Sequence, residues 1–463
     1  MAAPDKAATP AKRKTHLPGD LLADTETVPG YSGGTGSPAK KLSLWQHLAL
    51  SSFWLGNNLH WGALTMVILQ SQAIRMSGAV NVTEVKITGW TLGAGAIVGA
   101  LVPPLVGAFS DRCTLPLGRR RPYVIAGTLL NLIALFIFYF AFQAHNLPGY
   151  IAAWMLIGLG NNIAVGAFSG IIPDVVPKGE RGMASSWMAT MQQFGTIGGF
   201  IIGGMLMAKG REQDLIAISA IAGALGLVTL LTTVGTPERR LEKAEPFRLS
   251  ELKECFWVDP RQHPDFGWVW ITRAFFTIGW FLIQPILLFF MRDVIRTPDP
   301  SSAVSMLGGI VLIGAIPAGI AGGALSDRLG RKRIIFIAAM VMAFTCLLFA
   351  GLGLLPPENR LAAVYGVAIL WGLGYGTYLS VDWALGTDVL PSQDDAGKDM
   401  GVWHLSMVIP QSVAPPLAGQ ILGLFAVAGG EGYSMGGYAI IFLSACVFMF
   451  LCGALIFKVK KSR

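Results

Sequence analysis

The chain has 463 residues, of which 53% are hydrophobic and 13% are charged. Soluble domains carry about 25% charged residues, so this composition excludes an ordinary soluble enzyme. Its 57 glycines follow no triplet period, which excludes a fibrous protein. The net charge of +8 does not indicate nucleic-acid binding, because the basic residues lie between long apolar runs. The composition instead predicts an integral membrane protein with closely packed helices.

Residues 1–42 are rich in Ala, Pro, Lys, Gly and Thr and predict a disordered cytoplasmic tail. Twelve apolar runs follow, six on each side of a polar linker at 236–265 that contains a short amphipathic pattern. We therefore expect an N-terminal six-helix half at 43–235, a C-terminal half at 266–459 and a short basic cytoplasmic tail at 460–463. The predicted runs are 44–74, 87–110, 122–144, 149–176, 184–208, 214–235, 266–292, 302–326, 333–355, 361–390, 400–428 and 436–458.

The distribution of Lys and Arg predicts the orientation. Alternate loops and both termini hold 27 of the 35 basic residues, the opposite side holds seven, and Arg273 alone lies within a span. Because basic residues are retained on the cytoplasmic side, we expect both termini in the cytoplasm of a multi-pass plasma (inner) membrane protein. The five cysteines have no metal-ligand spacing, so we expect neither a disulfide framework nor a metal or cofactor, and we expect a monomer.

The two halves repeat each other. Gly107-x-x-Ser110-Asp111-Arg112 recurs as Gly323-x-x-Ser326-Asp327-Arg328, and Asp174-Val-x-Pro177 recurs as Asp388-Val-x-Pro391. A parallel repeat of six helices predicts a solute site near the membrane midplane between the halves, with access that alternates between the two sides.

The duplicated loop resembles the loop motif of the major facilitator superfamily. The resemblance implies twelve helices in two pseudo-symmetric halves and a charged network that holds the cytoplasmic side closed in one state. A plain cluster of cytoplasmic basic residues is the alternative. The gating residues that the resemblance assigns are Gly107, Asp111, Arg112, Gly118, Arg119, Arg120, Gly323, Asp327, Arg328, Gly330 and Arg331.

A closer resemblance concerns sucrose transporters and their bacterial relatives in the glycoside–pentoside–hexuronide group. It rests on Ser110-Asp-Arg-Cys-Thr114 followed by Leu117-Gly-Arg-Arg-Arg-Pro122, and on Asn161-Asn162-x-x-x-Gly166. The resemblance implies a sugar as solute and protons as the coupled ion. The chain departs from plant sucrose transporters at Gly158, where they carry an acid, and at Ser169, near which they carry an arginine. The ion-coupling residues of those relatives therefore do not transfer to this chain.

We predict that three ionisable residues lie in the hydrocarbon zone of the spans, where a lone charge is costly: His60, Arg273 and Asp382. The resemblance implies that their spans, the first, seventh and tenth, line the central cavity. At a rise of about 1.5 Å per residue, Arg273 lies roughly 10 Å and Asp382 roughly 12 Å from the same membrane side. We therefore predict an ion pair in which Asp382 couples to protons, with His60 as a second candidate proton carrier. In the alternative, each charge meets only cavity water.

Polar and aromatic residues at helical spacing predict the faces that bind the solute. Aromatic rings stack on the C–H faces of a sugar, and amides bond its hydroxyl groups. Interfacial anchoring and helix–helix hydrogen bonds are the alternatives, above all for the amides. The candidate solute-binding residues are Asn57, His60, Trp61, Asn161, Asn162, Gln192, Trp280, Gln284, Tyr375 and Tyr378.

The sequence contains no phosphate-binding loop and no nucleophile–base motif, so we do not expect an enzyme. The prediction is a secondary active transporter of a small polar solute, a sugar by resemblance, that is coupled to protons. Three alternatives stay open at this point: an uncoupled facilitator, an exporter of another amphipathic solute, and a non-transporting sensor or assembly factor.

Overall fold

The computed structural model describes residues 42–171, 175–176, 181–207, 213–236, 238, 258–391, 396–427 and 432–460. The predicted tail at 1–42, except its last residue, lies outside this range. So do most of the linker at 236–265, with its amphipathic pattern, and residues 461–463.

The described chain folds into twelve helical segments in series, which confirms the all-α membrane fold. In chain order they are α1, Leu44–Ala63, which continues through a π-helical turn, Leu64–Ile68, into Leu69–Val80; α2, Glu84–Asp111; α3, Arg121–Gln143; α4, Leu147–Ser169; α5, Arg181–Met207; α6, Asp214–Gly235; α7, Pro264–Ile283, which continues through Gln284–Ile286, Leu287–Phe290 and Met291–Ile295; α8, Pro300–Leu329; α9, Arg331–Gly351; α10, Pro357–Asp388; α11, Ala396–Gly423; and α12, Met435–Leu455.

Nine helices in the described part of the chain are long and apolar enough to cross a membrane. The other three, α1, α5 and α11, carry more polar residues, such as the Asn57–Asn58 and Gln192–Gln193 pairs. Each of the three contacts the opposite half of the molecule, so part of its surface meets protein instead of lipid. A helix in that position needs less apolar surface than one surrounded by lipid.

The helix ends differ from the predicted runs by up to seven residues. Helix α4 ends at Ser169, before the predicted end at 176, with Gly170 as its C-cap. The first and seventh helices extend beyond their predicted ends, to Val80 and Ile295. In α7 the geometry is irregular around Pro285, which lacks the N–H that a continuous helix requires.

Glycines set the distance between helices inside each half. A β carbon on Gly127 of α3 or on Gly160 of α4 would lie 2.6 Å from backbone atoms of the other helix. In the C-terminal half, β carbons on Gly372 and Gly376 of α10 would overlap backbone carbonyls of α8. Small residues at helix crossings allow the close backbone approach that is typical of membrane bundles.

Described residues of the two halves contact each other at one end of the molecule. We call the end with the α2–α3 and α8–α9 loops the motif end and the other the far end. Toward the far end, Gly89 and Gly93 of α2 lie against Pro415 and Pro416 of α11. In the same region Gly204 of α5 lies against α8. The far end is therefore packed between the halves.

Gly160→Ala should destabilise the protein, because the added methyl group forces α3 and α4 apart at a site with no free space. We expect a loss of about 2 kcal/mol, visible as a lower thermal midpoint of the purified protein. Gly223→Ala is the matched control: it lies in α6, it is exposed, and a β carbon there has no neighbour within 4 Å. Equal midpoints for the two variants would contradict this account of the crossing.

Candidate functional site

The structure brings Arg273 of α7 and Asp382 of α10 together. The Nε atom of Arg273 lies 3.2 Å from Oδ2 of Asp382. Both residues are buried, with exposed fractions of 8% and 5%. The pairing predicted from equal depth and opposite sign is therefore confirmed, and contact with cavity water alone is excluded in this conformation.

Aromatic rings enclose the ion pair. The Tyr378 hydroxyl, one turn before Asp382 on α10, donates a hydrogen bond to Oδ1 at 3.2 Å. The Phe276 ring of α7 stacks on Tyr378 with the centroids 3.4 Å apart and the planes at 2°. On the other side, the guanidinium carbon of Arg273 lies 3.2 Å from the centroid of the Trp403 ring of α11. The pair therefore joins three helices of the C-terminal half.

Burial makes each charge depend on the other. A single charge in a low-dielectric site costs several kcal/mol, and the attraction between partners offsets that cost only while both are ionised. A proton added to Asp382 would therefore release Arg273 from its ion pair. The arrangement can convert a protonation event into a change of helix contacts.

A second aromatic group lies on the far-end side of the pair. Trp280 of α7 stacks on Tyr375 of α10 with the centroids 4.6 Å apart and the planes at 14°. Trp371 lies one turn before Tyr375 on α10, and its ring centroid is 5.7 Å from that of Trp280. Trp280 and Tyr375 are partly exposed, unlike the buried Tyr378. They are the candidate residues in this half whose rings a solute could contact.

The break in α7 is bridged from the other half by Gln70 of α1. Its Nε2 donates to the carbonyl of Gln284 at 3.2 Å, and its Oε1 accepts from the N–H of Leu288 at 3.0 Å. These two backbone groups would bond to each other in a continuous helix. The Gln284 side chain is buried, and its Oε1 has no hydrogen-bond partner among the described residues. The sequence analysis missed Gln70, because nothing in the local pattern of α1 shows where α7 is broken.

The structure does not bring His60 to the ion pair. His60 is completely buried, and its ring lies beside Trp61 and the amide of Asn131 of α3. Trp61 in turn meets Trp154 of α4 edge to face. His60 is therefore inaccessible to a solute in this conformation, and its solute-binding and proton-carrying roles stay predictions. Asn57 is also buried, and its Oδ1 has no partner among the described residues. Helical spacing identified a common face, but not the neighbours it packs against.

The other amide candidates also lie in the N-terminal half. Asn161 is buried, whereas Asn162 and Gln192 are partly exposed. The Nδ2 of Asn162 donates to the carbonyl of Gly158 at 2.7 Å, a bond within its own helix. These three residues lie on α4 and α5 and do not contact the ion pair, which belongs to the C-terminal half.

The first motif loop ties three helices together through Arg120. Its guanidinium donates to the Ser110 hydroxyl of α2 at 2.6 Å and lies against Gly170 at the end of α4. The backbone N–H groups of Arg119 and Arg120 both donate to Oε1 of Glu238 at 2.9 Å. A carboxylate at the N-terminus of α3 is favourable, because the N–H groups there lack helical partners. Sequence reasoning missed Glu238, since it is 117 or more residues distant from the motif it caps.

The second motif loop makes a different contact. Gly330 adopts φ +93°, a conformation that favours glycine, as does Gly118 at +109° in the first loop. Arg331 pairs with Asp388 at the end of α10. The Asp111 and Asp327 side chains and all of Asp174 lie outside the described part of the structure. The complete gating network therefore stays a prediction.

Comparison with known proteins identifies the family. The family model described as Major Facilitator Superfamily matches residues 47–415, which is most of the chain. The chain belongs to the major facilitator superfamily. It is a multi-pass membrane transporter and not an enzyme.

Curated relatives include sucrose transporters of low identity. The chain is 23% identical over 443 residues to sucrose transport protein SUT5 of Oryza sativa subsp. indica, with 78% of each chain covered. It is 22% identical to sucrose transport protein SUC4 of Arabidopsis thaliana, with 69% of this chain and 74% of the relative covered. These relatives confirm the resemblance that the motifs predicted.

Solved structures show the same fold. A variant of the nucleoside transporter NupG superposes with a TM-score of 0.69 at 12% identity, covering 90% of this chain and 100% of NupG. A D-xylose-proton symporter superposes with a TM-score of 0.64 at 16% identity, covering 88% and 98%. At such identities the likeness establishes the fold alone.

Neutralising one member of the ion pair should destabilise the protein more than neutralising both. Arg273→Gln or Asp382→Asn leaves a buried charge without its partner, at a cost of about 3 to 5 kcal/mol. The double variant removes both charges. Its loss in thermal midpoint should therefore be smaller than the sum of the losses in the two single variants.

Asp388→Asn is the control, because the Arg331–Asp388 pair is 25% and 40% exposed and contributes about 1 kcal/mol or less. Strictly additive losses at Arg273 and Asp382 would show that the two charges do not stabilise each other.

Proposed function

We propose that this protein is a secondary active transporter that moves a sugar by alternating access and couples the movement to protons. The single observation that carries the proposal is the Arg273–Asp382 ion pair, buried between α7 and α10 beside a partly exposed aromatic group. The names of its relatives, sucrose transport proteins and a D-xylose-proton symporter, support a sugar as solute and a proton as coupled ion.

The chemistry of the site fits a sugar. The Trp280–Tyr375 stack offers ring faces of the kind on which sugar C–H groups pack. The Gln284 Oε1 and Asn57 Oδ1 atoms are acceptors without partners among the described residues, so hydroxyl groups could bond to them once the helices open. Both acceptors lie on helices α1 and α7, which by resemblance line the central cavity.

The coupling step requires one proton. Asp382 takes up a proton from water, the carboxyl group becomes neutral, and Arg273 keeps its charge without its ion pair. The free energy of the contact between α7 and α10 then changes, while no other covalent bond is formed or broken. A solute that binds one of the two arrangements better shifts the population toward it.

Alternating access requires that the far end opens in another state. Glu84 at the start of α2 pairs with Arg292 of α7 across the halves, with Oε1 and Nη2 2.8 Å apart. With the Gln70 bridge, this pair holds the far end together. We assign the motif end to the cytoplasm on the basic residues there, with both termini on that side of the plasma membrane. We further propose a monomer, with halves at 43–235 and 266–459.

Uptake into proteoliposomes tests the proposal. Sucrose and D-xylose are offered with an imposed proton gradient, and alkalinisation of a weakly buffered medium reports proton movement. We expect Asp382→Asn to abolish gradient-driven uptake and to keep part of the counterflow exchange, because exchange does not require the proton to be released. Glu358→Gln, which neutralises an exposed carboxylate at the start of the same helix, is the control and should transport normally.

The alternatives give results in this assay that differ from proton-driven sugar uptake. Uptake without alkalinisation indicates a facilitator, and no uptake of any sugar indicates another solute or a non-transporting protein. Full proton-driven uptake by Asp382→Asn would overturn the coupling role.

Glu84→Gln should favour the state in which the far end is open. Arg292 keeps its pair with Asp293, at 2.5 Å, so the substitution removes the bond between halves without leaving an unpaired cation. A partly exposed pair contributes about 1 kcal/mol, which corresponds to about a fivefold shift in population. A reporter cysteine at Ser412, on the α11 surface that meets Gly93, should then react correspondingly faster with a thiol reagent.

Glu358→Gln makes the same chemical change at an exposed site near the start of α10. It should leave the labelling rate of the same reporter unchanged. Equal rates in the Glu84→Gln and Glu358→Gln backgrounds would show that the Glu84–Arg292 pair does not hold the far end closed.

A further inference from the structure

We propose that Trp403 is a positioning residue that transmits the charge state of Asp382 to α11. This inference rests on the proposed coupling role of the Arg273–Asp382 pair and extends it to a residue outside the pair. It starts from the position of the Arg273 guanidinium, which lies between two helices: Asp382 of α10 on one side and the Trp403 ring of α11 on the other.

Arg273 and Trp403 are in close contact, and both side chains are buried. The guanidinium carbon lies 3.2 Å from the ring centroid, and Trp403 is completely buried. A cation over an aromatic face is attracted by the ring quadrupole, and the attraction is larger where water is excluded. Met407, one turn further along α11, lies with its sulfur 4.0 Å from Nη2 of the same guanidinium. Two residues of α11 therefore hold the cation that Asp382 also holds.

The Trp403 ring packs closely against α10. Its Nε1 has no hydrogen-bond partner among the described residues, so no hydrogen bond in this part of the chain orients the ring. A β carbon on Gly386 of α10 would lie 2.8 Å from two atoms of the indole. Trp383 meets the ring edge to face, with the centroids 5.0 Å apart. Gly386 follows Asp382 by one helical turn, so the ring lies directly against the part of α10 that carries the titrating carboxylate.

Protonation of Asp382 changes which helix holds Arg273. With Asp382 ionised, the guanidinium is shared between α10 and α11. With Asp382 neutral, the ion pair is lost, while the contacts with Trp403 and Met407 do not depend on the proton. The cation is then held mainly by α11.

Helix α11 also contacts the other half of the molecule. About 9 to 13 residues beyond Trp403, or roughly 14 to 20 Å along the helix, its Ser412–Pro416 segment lies against Gly89 and Gly93 of α2. Three prolines lie inside α11 between Trp403 and the end of this segment, at 410, 415 and 416. Prolines remove backbone hydrogen bonds and allow a helix to bend. A change in the contacts between Arg273 and α11 can therefore alter the bend of this helix and, with it, the contact between the halves.

Other polar groups near the pair set its environment. Tyr378 of α10 donates to Asp382, and the Cys452 thiol of α12 lies beside Tyr378 and Asp382. His404 of α11 is close enough to Arg273 to interact with it electrostatically. None of the three is altered in the variants below, so the comparison isolates the Trp403 ring.

The experiment compares Trp403→Leu, which loses the aromatic face, with Trp403→Phe, which keeps one. Proton-driven sucrose uptake and counterflow are measured in proteoliposomes from acidic to neutral pH, beside Asp382→Asn. We expect Trp403→Leu to lower proton-driven uptake about tenfold and to change its pH profile, while counterflow is retained. Trp403→Phe should restore most of the uptake and the profile of the native protein. Trp45→Leu is the control, because this ring is 59% exposed and lies on α1, in the half of the molecule that does not contain the ion pair.

A second measurement does not depend on transport. Thermal midpoints of Trp403→Leu, Arg273→Gln and the double variant form a cycle, and non-additive losses are expected if the ring holds the cation. Additive losses, or the same uptake and pH profile for Trp403→Leu and the native protein, would overturn the inference. If Asp382→Asn loses driven uptake while Trp403→Leu does not, this inference fails and the proposed function stands. If Asp382→Asn keeps full driven uptake, the proposed function itself fails.

Discussion

A charge buried in a membrane protein must have a partner, and the arrangement of the C-terminal half follows from that constraint. Arg273 and Asp382 are each less than one-tenth exposed, so neither is stable there alone. Satisfying both requires α7 and α10 to lie side by side at the same depth, and α11 to cover the cation with an aromatic ring. A hydrophobic pair of similar volume would hold these helices together as well. Charges at this position therefore suggest a role in changing state.

Close packing of α10 against its neighbours fixes the position of Asp382. The glycines of α10 at 372 and 376 bring it against α8, and Gly386 admits the Trp403 ring beside the pair. Because α10 meets α8 at backbone distance, the position of Asp382 opposite α7 is fixed by packing as well as by its charge. The far end shows the corresponding contacts between halves, where Gly89 and Gly93 meet the prolines of α11.

The sequence predicted the parts of this arrangement that apolar runs, a repeated motif or two opposite charges within spans reveal. The duplicated motif and the long apolar runs predicted the family fold, and equal depth with opposite sign predicted the Arg273–Asp382 pair. Contacts between distant segments could not be predicted in the same way. His60 shares a helical face with Asn57, but in the structure it is buried beside Asn131. This contact was not predicted, because periodicity does not identify the neighbouring helix. Gln70 and Glu238 were missed for the same reason, since each satisfies backbone groups of a segment far away in sequence.

The central claim is that Asp382 takes up and releases a proton inside the bundle. Infrared difference spectroscopy of the purified protein during a pH titration tests this most directly, because a buried protonated carboxyl group has a C=O band distinct from exposed carboxylates. The account predicts a pH-dependent carboxyl band in the native protein that is absent from Asp382→Asn and altered in Arg273→Gln. Identical difference spectra for the native protein and Asp382→Asn would contradict it.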